Sequence, residues 1–69
     1  MPIESKHRYQ LMYLGAFAAL GVSNADMAAE MAEVTRSEDE AISAIHVMRR
    51  AKEGDRVWPA LEWLKMKRG

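Results

Sequence analysis

The chain has 69 residues, no cysteine, and ten basic against ten acidic side chains, so its formal net charge is zero. A chain of this length forms one small domain, which buries only about 60% of the surface that its unfolded form exposes. The lack of cysteine excludes disulfides, thiol redox chemistry and thiolate metal sites. A net charge of zero excludes a general attraction to nucleic acid of the kind that strongly basic proteins have.

Apolar periodicity, capping residues and glycines predict four helices and no strand. We expect these helices at about 5–20, 24–32, 37–52 and 57–67. Since no repeat, low-complexity tract or long linker divides the chain, residues 1–69 are expected to form one domain. The predicted fold is a compact all-α four-helix domain that contains a helix-turn-helix-like pair and has no β wing.

The first helix is apolar on nearly all sides. One stripe at helical spacing contains Tyr9, Met12, Tyr13, Ala16, Phe17 and Leu20, and a second contains Leu11, Leu14 and Ala18. Such a helix is normally buried on most sides, so we expect the other helices to wrap it, or a second copy to cover what they leave bare. Its apolar run of about a dozen residues is shorter than the roughly 20 that cross a bilayer. Gly21 is expected to end it in the left-handed conformation.

The second and third helices have clear start signals. Ser23 or Asn24 is expected to cap the second helix, whose buried face contains Met27, Ala28 and Met31. Residues 33–36 are expected to form a turn with Val34 as an apolar plug. Ser37 and Glu40 have the spacing of a capping box at the start of the third helix. The third helix is expected to turn Ala41, Ile45 and Met48 inward, with Ile42 at the edge.

The fourth helix follows Gly54, which is expected to end the third. Asp55 or Trp58 is expected to cap it, and Pro59 fits its first turn because the N–H groups there have no helical partner. The residues expected to point inward are Val57, Leu61 and Leu64, with Trp58 in the core.

One segment resembles the first half of the helix-turn-helix of LuxR/GerE-type DNA-binding domains: Gly21-Val22-Ser23-Asn24-Ala25-Asp26-Met27-Ala28-Ala29-Glu30-Met31, followed by Val34-Thr35-Arg36. The resemblance covers about half of the chain. It implies that the third helix lies in the major groove of double-stranded DNA and that the last helix helps dimerisation. The function expected from it is that of a small transcriptional regulator of bacterial, phage or plasmid kind, acting as a homodimer.

The residues expected to contact DNA lie on and after the third helix. Its outward stripe would present Arg36, Ser43, His46 and Arg50 to the bases, while Arg49, Lys52 and Arg56 would hold phosphates. Glu38, Asp39 and Glu40 oppose this hypothesis, because helices of this motif contact bases with their N-terminal residues. The same acids are also what a well-capped helix would have.

The alternative function is that of a helical inhibitor or adaptor that docks on a larger bacterial protein. Charge favours it, since residues 24–47 carry a net −5 and residues 48–69 a net +4. Aromatic residues and methionine are enriched at the centres of protein interfaces. The residues expected at an interface are Trp63, Met66, Leu11 and Leu14, although Trp63 could equally pack back on the first helix.

No pattern indicates catalysis. His46 has only Ser43, Arg49 and Arg50 near it on its helix face, and arginines repel a cation, while His7 lies in a start that is expected to be flexible. No Ser-His-acid arrangement or glycine-rich phosphate loop is present. We therefore expect no enzyme, no metal and no cofactor. The polar start and the absence of a signal-peptide cleavage pattern predict a cytoplasmic protein without membrane contact.

Overall fold

The structure is a computed structural model that describes residues 5–50 and 57–68, and these residues form four helices. For residues 57–59 and 68 it describes the backbone but not the side chains. The helices are α1 (Ser5–Ala19), α2 (Ala25–Val34), α3 (Glu38–Arg50) and α4 (Val57–Arg68). No strand occurs among the described residues. The predicted all-α four-helix fold is therefore confirmed.

The helices pack as two neighbouring pairs. α1 packs mainly on α2 and α3 mainly on α4, while lighter contacts join α1 to α3 and α2 to α4. The consecutive helices α2 and α3 are joined by only three residues but touch each other little. The helix-turn-helix connectivity is thus present, and the two helices are held in place chiefly through α1 and α4.

The core is built from one face of each helix. Its largest fully buried side chains are Tyr13, Phe17, Met31, Met48, Leu61 and Leu64. Alanines fill the space between these side chains, and small residues let helix backbones approach closely. The buried alanines are Ala16, Ala28, Ala32, Ala41, Ala44 and Ala60.

The helix ends follow their predicted signals, with one correction. Gly21 has a φ of +78° and ends α1 in the left-handed region. Asn24, rather than Ser23, caps α2, because its Oδ1 accepts a hydrogen bond of 2.9 Å from the Met27 amide. α2 continues to Val34, so the predicted turn starting at residue 33 was placed too early. Val34 is a half-buried helical residue that packs against the core.

The capping box at α3 is formed with a shift of one residue. Ser37 Oγ accepts from the Glu40 amide at 3.1 Å, as predicted. The Glu40 carboxylate reaches back to the Arg36 amide at 2.7 Å, one residue earlier than the reciprocal bond of a standard capping box. This bond fixes the backbone of the turn as well as the helix start.

Ile45 is half-buried and packs against the core, on the inward side of α3 as predicted. Ala44, which was not predicted inward, is fully buried on the same helix, and Ile42, expected at the edge, is 41% exposed. Trp58 is not a cap, since α4 already begins at Val57. Gly54 and Asp55 lie outside the described residues, as do the side chains for which inward positions were predicted at Val57 and Trp58.

α1 is only half covered by the rest of the domain. Tyr9, Tyr13, Ala16 and Phe17 are buried, as the first stripe predicted. The second stripe is largely bare, since Leu11 is 55% exposed, Ala18 is exposed and Leu14 is half-buried. The other helices therefore leave one side of α1 bare, and the alternative expectation, that a second copy covers this side, stays a prediction.

Candidate functional site

The outward face of α3 presents a line of polar side chains. Ser43, His46 and Arg50 are all exposed and follow each other at spacings of three and four residues, which places them on one side of the helix. Arg49 is exposed beside them. The opposite side carries the buried residues Ala41, Ala44 and Met48. The structure therefore brings four of the seven predicted nucleic-acid contacts to one surface.

The other three predicted contacts are not part of this line as the structure describes it. Arg36 is exposed two residues before the start of α3, and its backbone amide donates a hydrogen bond to Glu40. This places it beyond the N-terminal end of the outward face. Lys52 and Arg56 lie outside the described residues.

The acids at the start of α3 are partly engaged within the protein. Glu38 Oε1 lies 3.1 Å from Arg8 Nη2 of α1, in an ion pair whose side chains are about half exposed. Glu40 holds the turn through the Arg36 amide. Asp39 is exposed and lies one helical turn before Ser43, on the outward line itself. The repulsion of an anionic ligand by this helix start is thus reduced at Glu38 and remains at Asp39.

Sequence reasoning missed the partner of Glu38. Arg8 precedes it by 30 residues, and the two side chains meet only because α1 packs on α3. Among the described residues, ion pairs also join Lys6 of α1 to Glu33 of α2 at 3.0 Å and Lys65 of α4 to Glu30 of α2 at 3.2 Å. Exposed pairs of this kind contribute about 0–1 kcal/mol each. Local spacing contains no signal for any of them.

The predicted protein-interface residues do not share one surface. Trp63 is half-buried against the core, and Lys67 Nζ lies 5.1 Å from the centroid of its ring. Met66 is 77% exposed on the same helix. Leu11 and Leu14 lie on α1, which has little contact with α4. Trp63 thus packs inward on the core, while its predicted packing on the first helix in particular stays a prediction.

Metal-ligand clusters and membrane-spanning helices are both absent from the part of the chain that the structure describes. No group of three or more His, Asp or Glu side chains there could hold a metal ion. No described helix is long and apolar enough to cross a membrane. The polar outward face of α3, the bare face of α1 and exposed Met66 on α4 are the candidate contact surfaces of the described residues.

Comparison with known proteins assigns no family. No protein-family model matches the sequence, and no curated protein or solved structure matches it. The function has to be derived from the residues and contacts of the chain itself.

Proposed function

We propose that this protein is a small DNA-binding regulator of helix-turn-helix type that contacts double-stranded DNA with the outward face of α3. The observation that carries the proposal is the exposed line Ser43, His46 and Arg50, with Arg49 beside it. All four side chains are hydrogen-bond donors, and two are arginines. Arginine is the residue that most often reads guanine in the major groove, and it also binds phosphates.

The size of this face fits a DNA groove. Ser43 and Arg50 are seven residues apart, which corresponds to about 10 Å along a helix. The major groove is about 12 Å wide and admits one α-helix. The basic side chains lie in the C-terminal half of α3, so we expect that half to approach the DNA more closely than the acidic start.

The ion pair between Arg8 and Glu38 supports this mode of binding. A free carboxylate at the start of α3 would oppose the phosphate attraction that supplies much of the affinity for DNA. With Glu38 paired to Arg8 and Glu40 bonded to the Arg36 amide, Asp39 is the acid that most directly opposes binding. A homodimer would present two α3 helices to two half-sites about one helical turn apart.

The test is a fluorescence-anisotropy titration of a labelled random-sequence duplex at about 50 and 200 mM salt. We expect weak binding that falls steeply with salt. Arg50→Ala should weaken it about fivefold and lower the salt slope by about one. Lys65→Ala is the matched control, because it removes one positive charge from α4 and should have a smaller effect. No binding at about 100 µM protein and 50 mM salt, or equal losses in both variants, would contradict the proposal.

A second variant tests the direction of approach. Asp39→Asn removes the exposed carboxylate from the outward line while keeping its size. Binding should become about threefold tighter if this helix face meets phosphates, since one repulsive charge is lost. Asp26→Asn removes an equivalent exposed charge at the start of α2 and serves as its control.

The second candidate function is that of a protein-binding module, and the exposure of Met66 favours it. A methionine that is 77% exposed next to a half-buried tryptophan offers an adaptable apolar contact. Met66→Lys is a better probe than Trp63→Ala, because Trp63 also contributes to the core. If the DNA titration is flat, a partner retained by the wild-type protein and lost with Met66→Lys would support this function.

A further inference from the structure

We propose that the bare face of α1 binds a second copy of the chain, with the two α1 helices antiparallel and Gly15 at the two-fold axis. The face consists of Leu11, Gly15, Ala18 and Ala19, all exposed and within one helical stripe. This interface does not depend on DNA binding, and its test uses no DNA.

The bare face of α1 carries no charged side chain. Of the 69 residues, 29% are Asp, Glu, Lys or Arg, yet none of these occurs between Arg8 and Asp26. Leu11 is 55% exposed in the middle of this uncharged run, and Leu14 is half-buried at its edge. An exposed helix face of a monomer is normally polar. A face of this composition is typical of a surface that another apolar surface covers.

Gly15 lies on this face although the packing of the monomer does not require a glycine there. It lies in the interior of α1, where glycine is among the least favourable residues. A Cβ placed on Gly15 would meet no atom within 4 Å, so packing inside the chain does not require a glycine there. Its φ is not positive either, unlike that of Gly21. The absent side chain has a purpose if a second helix backbone approaches α1 at this point.

Side chains on this face are larger on the N-terminal side of Gly15 than on its C-terminal side. Bulky Leu11 lies on the N-terminal side of Gly15, and the small residues Ala18 and Ala19 lie on its C-terminal side. In an antiparallel pair centred on Gly15, Leu11 of one copy lies over Ala19 of the other. A parallel pair would instead set Leu11 against Leu11 and leave a gap between the alanines. The two-fold antiparallel arrangement is the one in which this face complements itself.

The dimer is expected to be weak, because an antiparallel pair centred on Gly15 overlaps only over residues 11–19, which is about 13 Å of helix, and such a contact belongs to the small class of interfaces. Sedimentation equilibrium between about 10 and 500 µM protein should show a monomer–dimer equilibrium. Gly15→Lys should raise the dissociation constant at least tenfold while the variant stays folded, because the space beside Gly15 is open in the monomer. Met66→Lys, which places the same charge on α4, should leave the dissociation constant unchanged.

Orientation is tested by cross-linking, since the chain has no cysteine of its own. Gly15→Cys should form a disulfide-linked dimer at least tenfold faster than Leu11→Cys, because antiparallel Leu11 positions lie about 12 Å apart along the axis. A mixture of Leu11→Cys and Ala19→Cys should form the mixed dimer. Equal rates for Gly15→Cys and Leu11→Cys would contradict the antiparallel pair. A protein that stays monomeric at 500 µM, or a dimer lost with Met66→Lys instead, would overturn the proposal.

Discussion

The Tyr13 hydroxyl donates a hydrogen bond to Thr35 Oγ1, which joins the middle of α1 to the residue that follows α2. The direction is set by Thr35, whose own hydroxyl hydrogen is used in a 2.7 Å bond to the Met31 carbonyl. A threonine hydroxyl has one hydrogen, so its oxygen is the acceptor toward Tyr13. Both residues are buried, and this pair fixes the turn between α2 and α3 against α1.

Removing the Tyr13 hydroxyl should destabilise the fold modestly. Tyr13→Phe keeps the ring in the core and leaves Thr35 bonded to Met31, so we expect a loss of about 1 kcal/mol in the free energy of unfolding. Thr35→Val should lose more, about 1–3 kcal/mol, because it leaves the buried Tyr13 hydroxyl without its acceptor. Urea titrations followed by circular dichroism measure both. Equal stability of the wild type and Thr35→Val would contradict the role of this bond.

Stability should also fall at high pH through Tyr13. Burial raises the pKa of Tyr13 above its ordinary value of 10.0, with smaller increases from Glu40 and Tyr9, against a lowering by the Thr35 hydrogen bond. The unfolded chain therefore loses this proton at a lower pH than the folded chain. The stabilisation is fully present below pH 10 and is lost as the pH rises from 10 through the folded pKa. The difference in unfolding free energy between the wild type and Tyr13→Phe should shrink over that range.

The two described glycines should respond oppositely to alanine. Neither would bring a new Cβ within 4 Å of another atom, so sterics do not distinguish them. Gly15→Ala should stabilise the monomer by about 0.5–1 kcal/mol, since alanine is the better helix former. Gly21→Ala should destabilise it by about 1 kcal/mol, because a φ of +78° disfavours any residue with a Cβ. Thermal unfolding at a concentration below that of dimer formation gives both values, and shifts of the same sign would be inconsistent with this account.

The cap of α2 should depend on Asn24 and not on Ser23. Asn24→Ala removes the acceptor of the Met27 amide and should lower stability by about 1 kcal/mol. Ser23→Ala, at the neighbouring exposed position, should change it by less than about 0.5 kcal/mol. Chemical unfolding of the two variants, measured side by side, tests this. A larger loss of stability with Ser23→Ala than with Asn24→Ala would contradict the assignment of Asn24 as the cap.

Local sequence determined where the helices lie and how most of them begin and end. Gly21 and the Ser37–Glu40 pair act through groups within four residues of themselves, so their roles could be predicted from spacing alone. The buried face of α2 could also be predicted, because Met27, Ala28 and Met31 recur at helical spacing while Asp26 and Glu30 fall on the other side. The outward line of α3 could be predicted because Ser43, His46 and Arg50 are polar and recur at helical spacing.

The tertiary structure decided what periodicity could not encode. α1 is apolar on both sides, so the choice of Tyr13 and Phe17 as buried and Leu11 as exposed came from the shape of the surface that the other helices offer. The bond between Tyr13 and Thr35 and the ion pair between Arg8 and Glu38 join residues 22 and 30 positions apart. Contacts at such separations depend on how whole helices dock, and that is a property of side-chain volume in three dimensions rather than of pattern along the chain.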